Sequence, residues 1–201
     1  MERWAALELA STIRHDGEGG VTDDLATAAG TSRWLQTQAD HLPAQGIAAD
    51  EDLRTEIIEL RQAIRALFAR AVSPAPPSPA DARQLMPSDK ALAHLNAVAA
   101  REPITPQLTW PPNGTPALHL LSTEGTPRTR LLATLARAAI DFLAGPQREH
   151  LRACRAPRCV RYFVKAHGRQ EWCKPACGNR ARAARHYQRH HAPPPDASTH
   201  P

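Results

Sequence analysis

No run of eighteen or more apolar residues occurs in this 201-residue chain, so no membrane-spanning helix is expected. Large side chains are scarce too: four Trp, two Tyr and three Phe. Much of the 42% hydrophobic fraction is alanine, which predicts a thin helical core rather than a sheet of bulky residues. Patterns that carry catalysis are also missing. No activated nucleophile, paired carboxylate or phosphate cradle is evident, and "GEGG" at 17–20 lacks the lysine and strand context such a cradle needs. The chain therefore reads as a non-enzyme. The opening "MERWAALELASTIRHD" carries Glu2 and Glu8 in place of a basic leader and an apolar stretch, so it does not read as a secretory signal and a cytoplasmic protein is expected.

Charge is split unevenly along the chain. Residues 1–146 hold 13 Lys and Arg against 17 Asp and Glu, a net of −4, whereas residues 147–191 hold 12 against Glu149 and Glu171 alone, a net of +10. An acidic body with a strongly basic end is the asymmetry expected when that end meets an acidic polymer.

The body reads as mainly α. Apolar spacing predicts a helix from about Trp4 to Arg14, then a second helical unit in "VTDDLATAAGTSRWLQTQADHL" with Thr22 as a cap and Gly30 as an interruption. The clearest helix spans Asp50 to Ala71. Leu53, Ile57, Leu60, Ile64, Leu67 and Phe68 form one stripe, with acids in the first turn and arginines toward the end, as the helix dipole favours. "SPAPPSPA" ends it as a loop of polyproline character, one use of the nineteen prolines. A further helix reaches Ala100 with Leu92, Leu95 and Val98 inward, and "PPNG" marks the turn of a two-stranded ribbon between 104 and 122. "RTRLLATLARAAIDFLAG" is helical again, with Leu131, Leu135, Ala138 and Phe142 on one face. A boundary is expected near Pro146, and residues 192–201 carry too little apolar surface to order themselves.

Four cysteines, Cys154, Cys159, Cys173 and Cys177, follow C-x4-C-x13-C-x3-C. Two close pairs in a reducing compartment suit a tetrahedral zinc, which four thiolates satisfy with no open position, so the site is structural. Two disulfides are the leading alternative. A catalytic thiol assisted by His167 or His186 competes poorly with four paired cysteines. In this reading "CRAPRC" forms a knuckle, "VRYFVKAHGRQEW" a short hairpin with Tyr162 and Val164 before the turn at "HGR" and Trp172 after it, and "CKPAC" a turn into a helix. The result is a small treble-clef-like zinc finger at 147–191 with one ion per chain. Zinc would stand in for a core that about forty residues cannot build, contributing on the order of 10–16 kcal/mol, and without it this end should unfold.

Beyond Gly178, Arg182, Arg185, His186 and Arg189 recur at helical spacing as a cationic face, with Ala183, Ala184 and Tyr187 opposite, suited to pack on the hairpin. Arg180, Arg182, Arg185, Arg189, Lys174 and Arg169 are the candidate nucleic-acid contacts. Asn179 can satisfy orphan backbone donors, and Arg180 can also turn inward. Ten net charges exceed what solubility requires, so a polyanion is the economical partner.

The stretch "CRAPRC…YFV…WCKPACGNRARAARH" resembles the CGNR zinc finger, whose tetrapeptide stands here as Cys177-Gly178-Asn179-Arg180. "ALELASTIRHD" and "DDLATAAGTSRWL" are similar to the opening of ABATE, an alanine-rich helical domain described as a stress-induced transcription regulator, with Ser11 where asparagine is usual. The resemblance implies zinc on the four cysteines, double-stranded DNA as partner and transcriptional regulation. Lys165 departs from it, occupying a place where an acid is usual. A single finger offers few base contacts, so a homodimer through the helical body is expected, and a small-molecule effector of that body stays open. So do RNA, bound by stacking on Tyr162, Phe163 or Tyr187, and an acidic protein partner, the acidic body itself included.

Overall fold

A computed structural model describes residues 4–122 other than 17 and 19, together with 125–191; the tail expected at 192–201 lies outside the described residues. Its helices are α1 (Ala5–Ala10), α2 (Ala28–Thr37), α3 (Glu51–Val72), α4 (Ser88–Ala100), α5 (Pro127–Ala144) and α6 (Pro175–His191). Strands β1 (Ile13–His15) and β2 (Val21–Asp23), β3 (Ile104–Thr109) and β4 (Ala117–Ser122), and β5 (Leu151–Ala153) and β6 (Tyr162–Val164) form three separate antiparallel pairs. Short 3-10 turns occupy Pro79–Asp81 and Pro146–His150. Among the described residues no helix is long and apolar enough to cross a membrane.

Helix α3 is the axis. Asp50 accepts from the Leu53 amide at 2.7 Å, Glu51 and Asp52 face the positive end of the dipole, and the six apolar residues of the expected stripe are all buried. Helices α1, α4 and α5 pack around it, closely because Ala6, Ala63, Ala91, Ala136 and Ala139 are fully buried at the contacts. Four of the nine aromatic side chains are joined in one line. Trp4 meets Phe142 with centroids 5.7 Å apart, Phe142 meets Phe68 at 5.2 Å, and Phe68 meets Tyr162 of β6 at 5.6 Å. Each such burial is worth about 1.5–3 kcal/mol.

Several expected features shift. The first helix stops at Ala10, not Arg14, because the Thr12 hydroxyl donates back to the Leu9 carbonyl at 2.8 Å and residues 13–15 pair with 21–23. Thr22 therefore lies in β2, and Thr27 caps α2 by accepting from Gly30 at 3.0 Å. Gly30 sits inside α2 rather than interrupting it: a Cβ there would stand 2.4 Å from the Asp24 carbonyl oxygen. In α4 the inward residues are Ala91, Leu95 and Val98, while Leu92 is 47% exposed.

The largest addition concerns the α3 arginines, which the sequence places only toward the helix end, where the dipole favours them. Arg61 and Arg65 are 4% and 2% exposed. Arg61 pairs with both oxygens of Asp23 and donates to the Thr12 hydroxyl at 2.9 Å. Arg65 donates to Asp81 at 2.8 and 3.0 Å, to the Ala10 carbonyl at 2.6 Å, to Ser78 Oγ at 3.1 Å and to the Val160 carbonyl at 3.2 Å. The Tyr162 hydroxyl donates to Asp81 at 2.7 Å and accepts from the Ser78 amide at 3.2 Å. Burial and the Asp81 charge push the Tyr162 pKa well up, so this hydroxyl stays a donor. The proline-rich loop is thus no solvated linker: Ser78 and Asp81 are buried where α1, α3 and β6 meet.

Glu102 forms a second buried junction, accepting from Arg137 at 2.9 Å, from Arg130 at 3.2 Å and from the Ser122 hydroxyl. Burial would raise its pKa, but these donors outweigh it and leave the carboxyl below its ordinary 4.5.

Asp81→Ala, which strands a buried guanidinium, is expected to lower the unfolding free energy by about 3–5 kcal/mol in urea titration, with the paired Arg65→Met/Asp81→Leu change recovering most of it. A loss under about 1 kcal/mol for Asp81→Ala would place Arg65 outside the core that holds the fold. Because the Glu102 pKa is depressed on folding, its contribution is fully present above the ordinary value and is lost as pH falls through the folded value. Glu102→Gln is expected to flatten the acid limb of a plot of thermal midpoint against pH, and an unchanged limb would count against the junction.

Candidate metal centre and basic helix

The cysteine segment is built outward from the ladder of β5 and β6, which aligns Leu151 with Val164, Arg152 with Phe163 and Ala153 with Tyr162. Cys154 follows β5 directly. The chain then turns back, with the Cys159 amide bonded to the Ala156 carbonyl at 3.0 Å and the Cys154 amide to Arg161 at 2.9 Å. Arg158 takes φ 63°, the left-handed conformation this tight turn requires of a residue with a Cβ. Both thiols of the knuckle thereby face one point. The second pair arrives as expected, Cys173 ahead of α6 and Cys177 in its first turn, where Pro175 starts the helix and the Cys177 amide bonds to Lys174 at 3.0 Å.

All four Sγ atoms lie within 4.8 Å of one another, with Cys159 to Cys173 at 3.6 Å and Cys173 to Cys177 at 3.5 Å. A regular tetrahedron of thiolates about 2.3 Å from zinc has edges of about 3.8 Å. Disulfide sulfurs sit at about 2.05 Å, so these spacings exclude the bridged alternative. Cys154, Cys159 and Cys177 are buried and Cys173 is half-buried. Hydrogen bonds from Cys159 and Cys173 hold Cys154 toward the thiolate, and their contacts with it push both of their own pKa values up. Four thiols packed this closely ionise together only around a cation, and the donor set fits one zinc ion in a closed, structural site.

The ladder partner differs from the expected one. Tyr162–Val164 pairs with residues before the first cysteine, not with Trp172, because Leu151 and Tyr162 are fully or nearly fully buried in the helical core and draw β5 and β6 together. Tyr162 thus belongs to the body, while Phe163, on the other side of the ladder, joins the cysteine cluster with Ala156 and Trp172. The Trp172 ring lies against α6 at Gly178, where a Cβ would approach within 3.1 Å. Lys165 donates to the Gly168 carbonyl at 2.7 Å and closes the intervening loop.

The basic residues divide. Arg180, a candidate nucleic-acid contact by sequence, is turned inward: its guanidinium donates to Cys177 Sγ at 3.2 Å and to the Pro157 carbonyl at 3.2 Å, tying the helix to the knuckle. Among the described residues the Asn179 side-chain oxygen accepts from Arg182 rather than from a backbone donor. Arg182, Arg185 and Arg189 are exposed along α6, and Arg169 and Lys174 are exposed beside the finger. The opposite face differs from the alanine–tyrosine face expected. Cys177, Gly178 and Ala181 are buried with Ala184 partly so, whereas Ala183 is exposed and Tyr187 is 63% exposed, since α6 outruns the small finger after two turns. His186 and His190 stack with centroids 4.3 Å apart. Sequence reasoning missed Arg65, Ser78 and Asp81 as supports of this segment. No spacing signals them, because their contacts with Val160 and Tyr162 span 81 to 95 residues of chain.

Two family models match. Residues 4–146 match ABATE, described as "Putative stress-induced transcription regulator", and residues 150–190 match the CGNR zinc finger. No curated protein matches the chain.

Elemental analysis is expected to give one zinc per chain, lost on Cys177→Ser. Arg180→Met, which removes the donor to a ligand sulfur, is expected to weaken zinc about 10–100-fold in chelator competition while keeping the stoichiometry. An unchanged affinity would limit Arg180 to packing. Chelation is expected to release exchange protection in α6 and the knuckle but not in β5 and β6, whose Leu151 and Tyr162 belong to the helical core. Hydrogen exchange of the full chain reads this, and uniform loss across 151–190 would contradict the shared core.

Proposed function

Since the chain belongs to the ABATE family and carries a CGNR zinc finger, we propose that it is a DNA-binding transcriptional regulator whose helix α6 lies against the duplex. The observation that carries this reading is the pattern of charge pairing. The body's buried and half-buried carboxylates are taken up by its own arginines: Asp23 by Arg61, Asp81 by Arg65, Glu56 by Arg101 and Arg128, and Glu102 by Arg130 and Arg137. Arg182, Arg185 and Arg189 stand exposed on α6 and, among the described residues, meet no carboxylate. The planar fork of arginine pairs with phosphate and with guanine edges, and zinc fixes the first turn of the helix that presents it. Arg169, Lys174 and the three α6 arginines would contribute phosphate contacts that set register, and any reading of bases would fall to the α6 arginines.

The competing partners are less well supported. Stacking on unpaired RNA bases needs exposed rings, but Tyr162 is 2% and Phe163 7% exposed, leaving Tyr187 alone of the three. Docking of the finger on its own acidic body would have to use the scattered exposed carboxylates such as Glu59 and Asp89, because the buried and half-buried ones are already engaged. The proposed regulator works in the cytoplasm as a binding protein without catalysis, with the helical body as the seat of any effector.

Duplex affinity of the zinc-loaded full chain is expected to fall linearly with the logarithm of salt. Replacing Arg182, Arg185 and Arg189 by Gln is expected to reduce that slope by about 2.7, at about 0.9 per phosphate contact, with zinc content unchanged. No duplex binding at low salt, or a slope indifferent to the three arginines, would sink the DNA reading.

A further inference from the structure

Large apolar side chains gather in water on one regular element. Leu108, Trp110, Leu118, Leu120 and Leu121 of the β3–β4 hairpin and its turn are 67%, 68%, 67%, 57% and 42% exposed. The register sorts them. Leu108 stands opposite Leu118 and Pro106 opposite Leu120, with Trp110 in the same alternation, so these five side chains share one face. Thr105, Gln107, Thr109, Ala117 and His119 lie on the other, with Leu121. This is the pattern of a sheet with one buried side, yet both strands are exposed along almost their whole length. Monomers seldom leave an apolar patch of more than a few hundred Å² open, and an isolated hairpin is only marginally stable in water.

We propose that this face seats the same face of a second copy of the chain, the two hairpins packing about a twofold axis as a small sandwich. Charge argues for a self-partner. Residues 104–122 contain no Asp, Glu, Lys or Arg in a chain that is 22% charged, so two identical faces meet without repulsion and a charged partner finds nothing to pair with. Area argues the same way. Covering Leu108, Trp110, Leu118, Leu120 and the flanking prolines removes on the order of 600 Å² per chain, the lower bound for a stable interface. Pro106 has no N–H to offer along the outer edge of β3, which turns association toward the face rather than that edge. The homodimer thus forms on the hairpin, not on the packed helices. It brings two α6 helices into one particle, although the surface stands whether or not α6 meets DNA.

Light scattering and sedimentation of the zinc-loaded full chain at roughly 100 µM, without nucleic acid, test this directly. The dimer mass is expected for the native chain and for Gln107→Glu on the polar face, while Leu118→Glu and Leu108→Glu are expected to raise the dissociation constant at least about tenfold. Both leucines are two-thirds exposed, so helical circular dichroism and zinc content should stay unchanged and certify folding. A native chain that is monomeric at this concentration overturns the proposal, whether or not the hairpin then captures another protein. So does a Leu118→Glu chain that dimerises like the native one. Because mass is read without DNA, neither outcome depends on the duplex reading.

Discussion

One guanidinium carries the constraint on which the rest of the molecule depends. Arg65 is buried with its charge, a state tolerable because Asp81 pairs with it in two contacts and the Ser78 hydroxyl and the carbonyls of Ala10 and Val160 accept from it as well. Those partners come from different parts of the chain. The end of α1, the proline-rich loop and the residue that follows the zinc knuckle must therefore all be in place for the charge to be fully satisfied. A network of this kind adds little net stability over an apolar core, but it penalises alternative packings heavily.

This geometry changes what zinc does for the finger. A forty-residue segment alone would owe its whole fold to the metal. Here β5 and β6 are already held, Tyr162 by the Arg65 cluster and Leu151 by the helical core, so zinc organises the remainder: the knuckle, Trp172 and the first turn of α6. The two matched segments, 4–146 and 150–190, thus share one core across the join between them. The metal-pinned helix is thereby joined to the body, and the exposed arginines of α6 lie beyond that join.

Zinc ligation was legible because chemistry restricts it so tightly: four thiols in two close pairs have few other uses, and their spacing survives in any fold that gathers them. Long helices were legible for a similar reason, since burial of one face imposes a 3.6-residue period that Leu53 to Phe68 display plainly. Short elements were not. Whether Ile13 to His15 continues a helix or turns into a strand is decided by the Thr12 hydroxyl and by Asp23, itself held by Arg61, and local propensity at three residues is too weak to resist them.

Residue type and spacing thus determined the metal, the helical class of the body, the basic end and the apolar hairpin. Only the tertiary structure decided which charges are available. Arg61, Arg65 and Arg180 look in sequence like Arg182 and Arg185, yet the first three are spent on buried carboxylates, carbonyls and a ligand sulfur while the last two face water. The physical reason is that burial of an ionised side chain depends on partners brought from far along the chain. No local pattern encodes that distance.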